Sequence, residues 1–333
     1  MKRIAGVAGL AILIYPTLCA QEPAAWKDPS PHTPQFVTVE ENVRLEVLDW
    51  GGSGRPVVFL AGLGNTAHVF DDFAPKLTDR YHVYGITRRG FGASSAPDAG
   101  YGADRLADDV LAVIDSLKIE KPVLAGHSLG GEELSSIGNR HPERVAGLIY
   151  LDAGYSYAFD NGKGMTTEDQ QALAKNPPPS GPLPLAADRA SFAAFSAWFE
   201  RTNGYHPPES EVRQLFSARP DGGVGFPRTK PQVPQAILAG FKKFAEIHAP
   251  VLAIFAVPHD TPPWLNSAQE SVRTKYESIN GDFGALVEKQ VKAFEEGLTG
   301  ARVVRIANAN HYVFITNAEP VLREMRGFLA QSK

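Results

Sequence analysis

The strongest constraint on the fold is a rhythm of short apolar runs, each closed by a turn. Val57-Val58-Phe59-Leu60 leads into Ala61-Gly62-Leu63-Gly64, and residues 82–86 lead into Arg88-Arg89-Gly90-Phe91-Gly92. Residues 122–125 lead into Gly126-His127-Ser128-Leu129-Gly130-Gly131, and residues 145–151 end at Asp152. A strand that is apolar at every position, not at alternate ones, is buried on both faces. That burial needs helices on both sides of the sheet. Leu106, Val110, Val113, Ile114 and Leu117 form one apolar face at helical spacing. A second helix is predicted from the Gly130-Gly131 turn to about Arg140. Strands alternating with helices predict an α/β fold with a mostly parallel sheet. Ahead of it, residues 36–39 and 44–48 alternate around Glu41-Asn42, as an antiparallel pair does.

The rhythm stops after Asp152. Residues 153–248 are rich in Pro, Ala and aromatics, among them Tyr155, Tyr157, Phe192, Phe195, Trp198 and Phe199, and hold no core strand. The stretch is too long for a structureless loop in a compact domain. It is expected to form a helical cap over the carboxyl edge of the sheet, where such sheets bind ligands. The rhythm resumes at Pro250-Val251-Leu252-Ala253-Ile254-Phe255. It ends with a strand over 301–306 and a helix over 318–329, with Asn317 as its cap and Pro320 in its first turn.

The first twenty residues differ in kind. Lys2 and Arg3 precede an apolar run from Ile4 to Tyr15, then Pro16 and the small Ala20. This is the layout of a signal peptide cleaved near Ala20, which predicts a secreted or periplasmic protein. The run is shorter than the roughly 20 apolar residues of a membrane span, so no stable membrane anchor is expected after cleavage. Cleavage also removes Cys19, the only cysteine, and with it any disulfide or thiol chemistry. Pro23, Pro29, Pro31 and Pro34 make residues 21–35 an extended arm. The expected plan is therefore a leader over 1–20, an arm over 21–35, a main domain over 36–152 and 249–333, and a cap over 153–248. The formal net charge of −4, with no basic stripe, argues against a nucleic-acid partner.

The chemistry centres on Gly126-His127-Ser128-Leu129-Gly130, a G-x-S-x-G string between a predicted strand and a predicted helix. That context fits a nucleophile elbow, whose glycines let strand and helix approach closely while the helix N-terminus favours developing negative charge. A serine needs a base. Of nine histidines, His311 is the best placed, between the last strand and the last helix; His259 is a lesser candidate. The base needs an acid. Asp260 and Asp152 both follow core strands at the same edge; Asp260 is favoured and Asp152 is the alternative. The oxyanion donors are expected to be the backbone N–H groups of Leu129 and Leu63. Glu132 and Glu133 lie in the first turns of the elbow helix, and Arg88-Arg89 is expected to hold a loop through hydrogen bonds and ion pairs.

With these residues in view, the chain resembles the α/β-hydrolase superfamily, in the branch of AB hydrolase-1 or pimeloyl-ACP methyl ester esterase-like proteins. The resemblance rests on Ala61-Gly62-Leu63-Gly64, Arg89-Gly90-Phe91-Gly92, the serine elbow, Asp260 and Asn310-His311. The order Ser128, Asp260, His311 is the superfamily's order. The resemblance implies an eight-stranded sheet with a cap between strands six and seven. Two departures stand out. The oxyanion loop begins Ala-Gly where the superfamily has His-Gly, and the acid loop Ala256-Val257-Pro258-His259-Asp260 is one residue longer than usual. The expected reaction is serine hydrolysis of a carboxylic ester of a small or medium hydrophobic substrate, through an acyl-enzyme. Lactone, amide or peptide, and carbon–carbon bond hydrolysis fit the same triad, and a non-catalytic ligand-binding homologue is the reading from another class. No cofactor or metal is implied by the motifs.

Overall fold

A computed structural model describes residues 26–332. The leader, its cleavage point at Ala20 and the start of the arm lie outside the described residues. β1 (Thr33–Glu40) and β2 (Val43–Gly51) form the antiparallel pair. β1 starts at Thr33, ahead of the expected Phe36, so the arm is shorter than its sequence suggests. The main sheet continues with β3 (Pro56–Leu60), β4 (His82–Ile86), β5 (Val123–His127), β6 (Gly147–Leu151), β9 (Val251–Ala256) and β10 (Arg302–Ile306). Its spatial order is β1-β2-β4-β3-β5-β6-β9-β10. Every pairing from β4 to β10 is parallel, and β2 joins β4 antiparallel. β5, β6 and β9 are buried at every position, as their unbroken apolar runs require.

Helices cover both faces. α1 (Ala103–Ser116), α2 (Gly130–Arg140) and the long α7 (Glu270–Gly297) pack on one side, through residues such as Val110, Ile114, Leu134, Ile137, Val291 and Phe294. On the other side lie a 3-10 turn (Ala67–Phe70), the single turn α8 (Val313–Thr316) and α9 (Ala318–Leu329), contributing Phe70, Phe314, Val321 and Met325. Asn317 precedes α9 but its side chain bonds no helical N–H; its Oδ1 accepts from the Thr316 hydroxyl at 2.8 Å.

Between β6 and β9 the chain forms α3 (Thr167–Lys175), α4 (Phe192–Asn203), α5 (Glu209–Leu215), a hairpin of β7 (Phe216–Ala218) and β8 (Val224–Pro227), and α6 (Gln232–Ala239). Phe192, Phe195, Val212 and Val224, with Trp198, Phe199 and Phe216 against them, make a small core of its own. These five aromatics of the insert are therefore spent on its own packing, while Tyr155, Tyr157 and Phe159 pack with the main core. Among the described residues, no helix is long and apolar enough to cross a membrane.

Candidate active site

The turn after β5 sets the site. Ser128 has φ +49°, a left-handed conformation that a non-glycine residue adopts only where its surroundings enforce it. Its N–H bonds to Leu151 O at 3.3 Å and its carbonyl accepts from Gly131 N at 2.9 Å. Neighbouring strand and helix leave no room for side chains. A Cβ on Gly130 would lie 2.6 Å from Leu60 O, and one on Gly131 2.1 Å from Ala153 O. The elbow thus presents Ser128 at the carboxyl edge of the sheet, on the wall of a cavity of about 730 Å³. His311, His259, Tyr155 and Tyr157 line the same cavity.

The acid that meets His311 is Asp152. Its Oδ2 accepts from His311 Nδ1 at 2.6 Å and from His259 Nε2 at 2.8 Å. Its Oδ1 accepts from Ala256 N–H at 2.9 Å and from the Tyr155 hydroxyl at 3.0 Å. Asp152 is completely buried. Burial pushes its carboxyl up, but the hydrogen bonds from His259 and His311 outweigh that and hold it well below the usual carboxylate range. Asp260, the acid favoured from sequence, bonds elsewhere. Asn310 Nδ2 donates to its two oxygens at 3.3 and 3.2 Å. The expectation fails on backbone direction. Asp152 turns back with φ +46° directly after β6, whereas the loop after β9 sets Asp260 against Asn310.

His259 and His311 share one oxygen but present different atoms. His311 bonds through Nδ1, which leaves Nε2 free for the cavity; His259 bonds through Nε2. His311 is also the one seated on the elbow, its ring 4.7 Å from that of His127. His127 Nε2–H donates to His311 O at 3.1 Å. Burial, then the neighbouring His311, push the His127 imidazole well below its ordinary value, so it stays neutral. It serves as packing beside the elbow. Tyr157, from the first residues of the insert, faces the same cavity as Ser128.

Both expected oxyanion donors are free. Neither Leu63 N–H nor Leu129 N–H has an acceptor among the described residues. The Ala-Gly start of the Leu63 loop is anchored by Arg88. Its guanidinium donates to Ala61 O at 2.8 Å and Gly62 O at 3.2 Å, while a two-pronged pair with Glu133 at 2.6 and 2.8 Å fixes it to α2. Arg89 instead pairs with Asp109 at 2.6 and 2.7 Å and reaches Glu40 at 3.0 Å. Asp152, His259 and His311 place three ligand-type atoms together, but at hydrogen-bond separations between imidazole nitrogen and carboxylate oxygen.

A family model described as "Alpha/beta hydrolase family" matches residues 57–324. The chain belongs to the alpha/beta hydrolase family. Among curated proteins, it is 41% identical over 130 residues to the AB hydrolase superfamily protein YisY of Bacillus subtilis, a stretch covering 39% of this chain and 48% of that one. It is 32% identical over 101 residues to a 2-(acetamidomethylene)succinate hydrolase of Mesorhizobium japonicum, 30% of this chain and 36% of that one. The matched stretches thus span less than half of these relatives. A crystal structure titled E-2-(acetamidomethylene)succinate hydrolase superposes with a TM-score of 0.62 at 21% identity, over 90% of this chain and 99% of the other. Carboxylesterase CesB of Bacillus subtilis superposes with a TM-score of 0.57 at 15% identity, over 90% and 92%. These likenesses establish the alpha/beta hydrolase fold. Tyr155, Tyr157 and the pairing of His259 with Asp152 had no signature in the sequence, since tyrosines beside an aspartate are ordinary in a loop.

Proposed function

We propose that the chain is a serine hydrolase that cleaves a carboxylic ester of a hydrophobic small molecule, with Ser128 as nucleophile, His311 as base and Asp152 as acid. One observation carries the reading. A serine on a left-handed elbow shares a cavity wall with a histidine whose far nitrogen is bonded to a buried carboxylate. Ser128 Oγ attacks the ester carbonyl carbon while His311 Nε2 takes its proton. Asp152 stabilises the imidazolium that forms. The carbonyl oxygen, now negative, is met by the N–H groups of Leu63 and Leu129. Collapse of the tetrahedral intermediate transfers the proton from His311 to the departing alcohol and leaves the acyl group on Ser128. Water, activated by the same imidazole, then releases the acid. The apolar substrate preference rests on Tyr155, Tyr157, Trp264, Phe283 and Met165 around the cavity.

The test is Ser128→Ala together with labelling by a fluorophosphonate probe. The wild type should label at Ser128 and hydrolyse p-nitrophenyl esters, with turnover rising from acetyl to medium acyl chains. The variant should lose at least about 10³-fold in kcat/KM and all labelling. Ester turnover that survives the substitution would reject Ser128 as nucleophile. Probe labelling without turnover of any ester would reject the ester bond as the target.

A further inference from the structure

We propose that Asp28, His32, His68 and Asp71 form a divalent-cation site, suited to zinc, that fastens the N-terminal segment to the 3-10 turn behind the oxyanion loop. The site is separate from the proposed hydrolytic centre and does not depend on that reading. Its four residues each offer a ligand atom, all within 4.8 Å of one another. The sequence holds them as two unobtrusive pairs, Asp28 with His32 and His68 with Asp71, which is why no metal motif is legible there.

The observation that points to a ligand is His68. The residue is only 3% exposed, and its Nδ1 has no hydrogen-bond partner. A buried, unpaired ring nitrogen is costly. This one lies 3.3 Å from Asp71 Oδ2 and 3.6 Å from Asp28 Oδ2, and His32 Nε2 lies 3.8 Å from the same Asp28 oxygen. None of these contacts is a hydrogen bond. They come near the edge of about 3.3–3.4 Å that a tetrahedron has when its metal bonds are ~2.0–2.1 Å.

The surrounding groups fit as well. His32 Nδ1 donates to Asp71 Oδ1 at 2.8 Å, and Trp50 Nε1–H donates to that same oxygen at 3.0 Å. The Ser210 hydroxyl donates to Asp71 Oδ2 at 2.5 Å, and Glu46 Oε1 sits 3.4 Å from His68 Nε2. Glu46 behind His68 fixes the tautomer that turns its Nδ1 toward Asp28 and Asp71, while His32 joins the cluster through its bond to Asp71. Two imidazoles with two carboxylates suit zinc. Calcium and magnesium prefer all-oxygen sets. The rival occupant of His68 is a proton. Burial pushes its imidazole down, but Asp71 and Glu46 outweigh that and raise it to about 10. Proton and cation compete for one nitrogen, so the two readings are separable.

The full-length protein would be stripped with EDTA, supplied with zinc chloride, desalted and analysed for metal and thermal stability. About one zinc per chain, with a rise in Tm on zinc addition, is the expected result. Asp28→Asn, a partly exposed residue, should lower zinc retention about tenfold or more and remove the Tm shift. Asp49→Asn, which breaks an ordinary pair with His82 (2.9 Å), should retain both. Zinc below about a tenth of an equivalent in the wild type, or equal retention in Asp28→Asn, overturns the site. Should Asp28→Asn fail to fold, nitrogen NMR of the wild-type rings decides: His68 must lose its Nδ1 proton when zinc is added, and an imidazolium that persists overturns the proposal.

Discussion

Asp152 carries two imidazoles on one carboxylate oxygen, and this fixes how the site should respond to single changes. Asparagine at 152 cannot accept from His311, His259, Tyr155 and Ala256 N–H together, and it sets an amide against an imidazole. Asp152→Asn should therefore lower kcat/KM for a short ester by about 10³–10⁴. Asp260→Asn, whose side-chain hydrogen bonds are to Asn310, should stay within about tenfold of wild type. The histidines separate in the same assay. His311→Ala should match the loss in Ser128→Ala, while His259→Ala retains most activity because His259 gives its Nε2 to Asp152 and is not the ring seated on the elbow. Equal losses in the two histidine variants would sink the assignment of His311 as base. That Ser128 and His311 meet at one site was legible because strand, elbow and final loop pin them to one sheet edge. The acid was not. Asp152 and Asp260 both follow strands at that edge, and only the turn taken after each strand decides which reaches His311.

Strand and helix contact makes the next scale. α2 begins so close to the β6 exit that a Cβ on Gly131 would fall 2.1 Å from Ala153 O, a backbone atom that cannot step aside. Gly131→Ala should cost about 2–3 kcal/mol by forced displacement of the helix. Gly281 in α7 is the contrast. It is exposed, a Cβ there meets nothing within 4 Å, and Gly281→Ala should raise stability by roughly 0.5–1 kcal/mol. Urea unfolding of both variants checks the pair, and similar shifts of the same sign would contradict it. The same contrast explains what the sequence revealed of the elements. The central strands announce themselves because every residue is buried. α7 was missed, although it has 28 residues. Its buried positions are few (Ile279, Val287, Gln290, Val291, Ala293, Phe294), and Asn280, Gly281, Asp282 and Gly284 interrupt its middle. A helix packed on the half-exposed edge strand β10 buries few of its residues and gives a weak apolar period.

At the scale of the molecule, the insert is joined to the main domain by buried acids. Glu211 of α5 reaches the oxyanion loop, accepting from Asn65 Nδ2 at 2.9 Å and Thr66 N–H at 3.1 Å, with the Thr66 hydroxyl against its other oxygen. Glu132 of α2 receives Lys242 N–H at 3.4 Å, while its second oxygen has no partner. Burial pushes both carboxyls up, Glu211 to about 7 and Glu132 to about 8, with Glu133 adding repulsion to the latter. A raised acid keeps its proton in the folded chain after the unfolded chain has released it. From about pH 4.5 upward, stability therefore falls with pH, and the loss is complete once the folded pKa is passed. For Glu211 the span corresponds to roughly 3 kcal/mol at most. Asp152 and Asp71, held below their ordinary range by hydrogen bonds that outweigh burial, act in the opposite sense. Their stabilisation is present above about pH 4 and fades as the medium becomes more acidic. Glutamine at 211 reproduces the neutral acid: its oxygen accepts the two N–H bonds and its amide can donate to the Thr66 hydroxyl. Glu211→Gln should match wild type near about pH 5 and exceed it by about 2–3 kcal/mol near about pH 8.5, measured by urea unfolding. A variant weaker than wild type at both values would mean that Glu211 is ionised in the fold and holds the insert as a carboxylate.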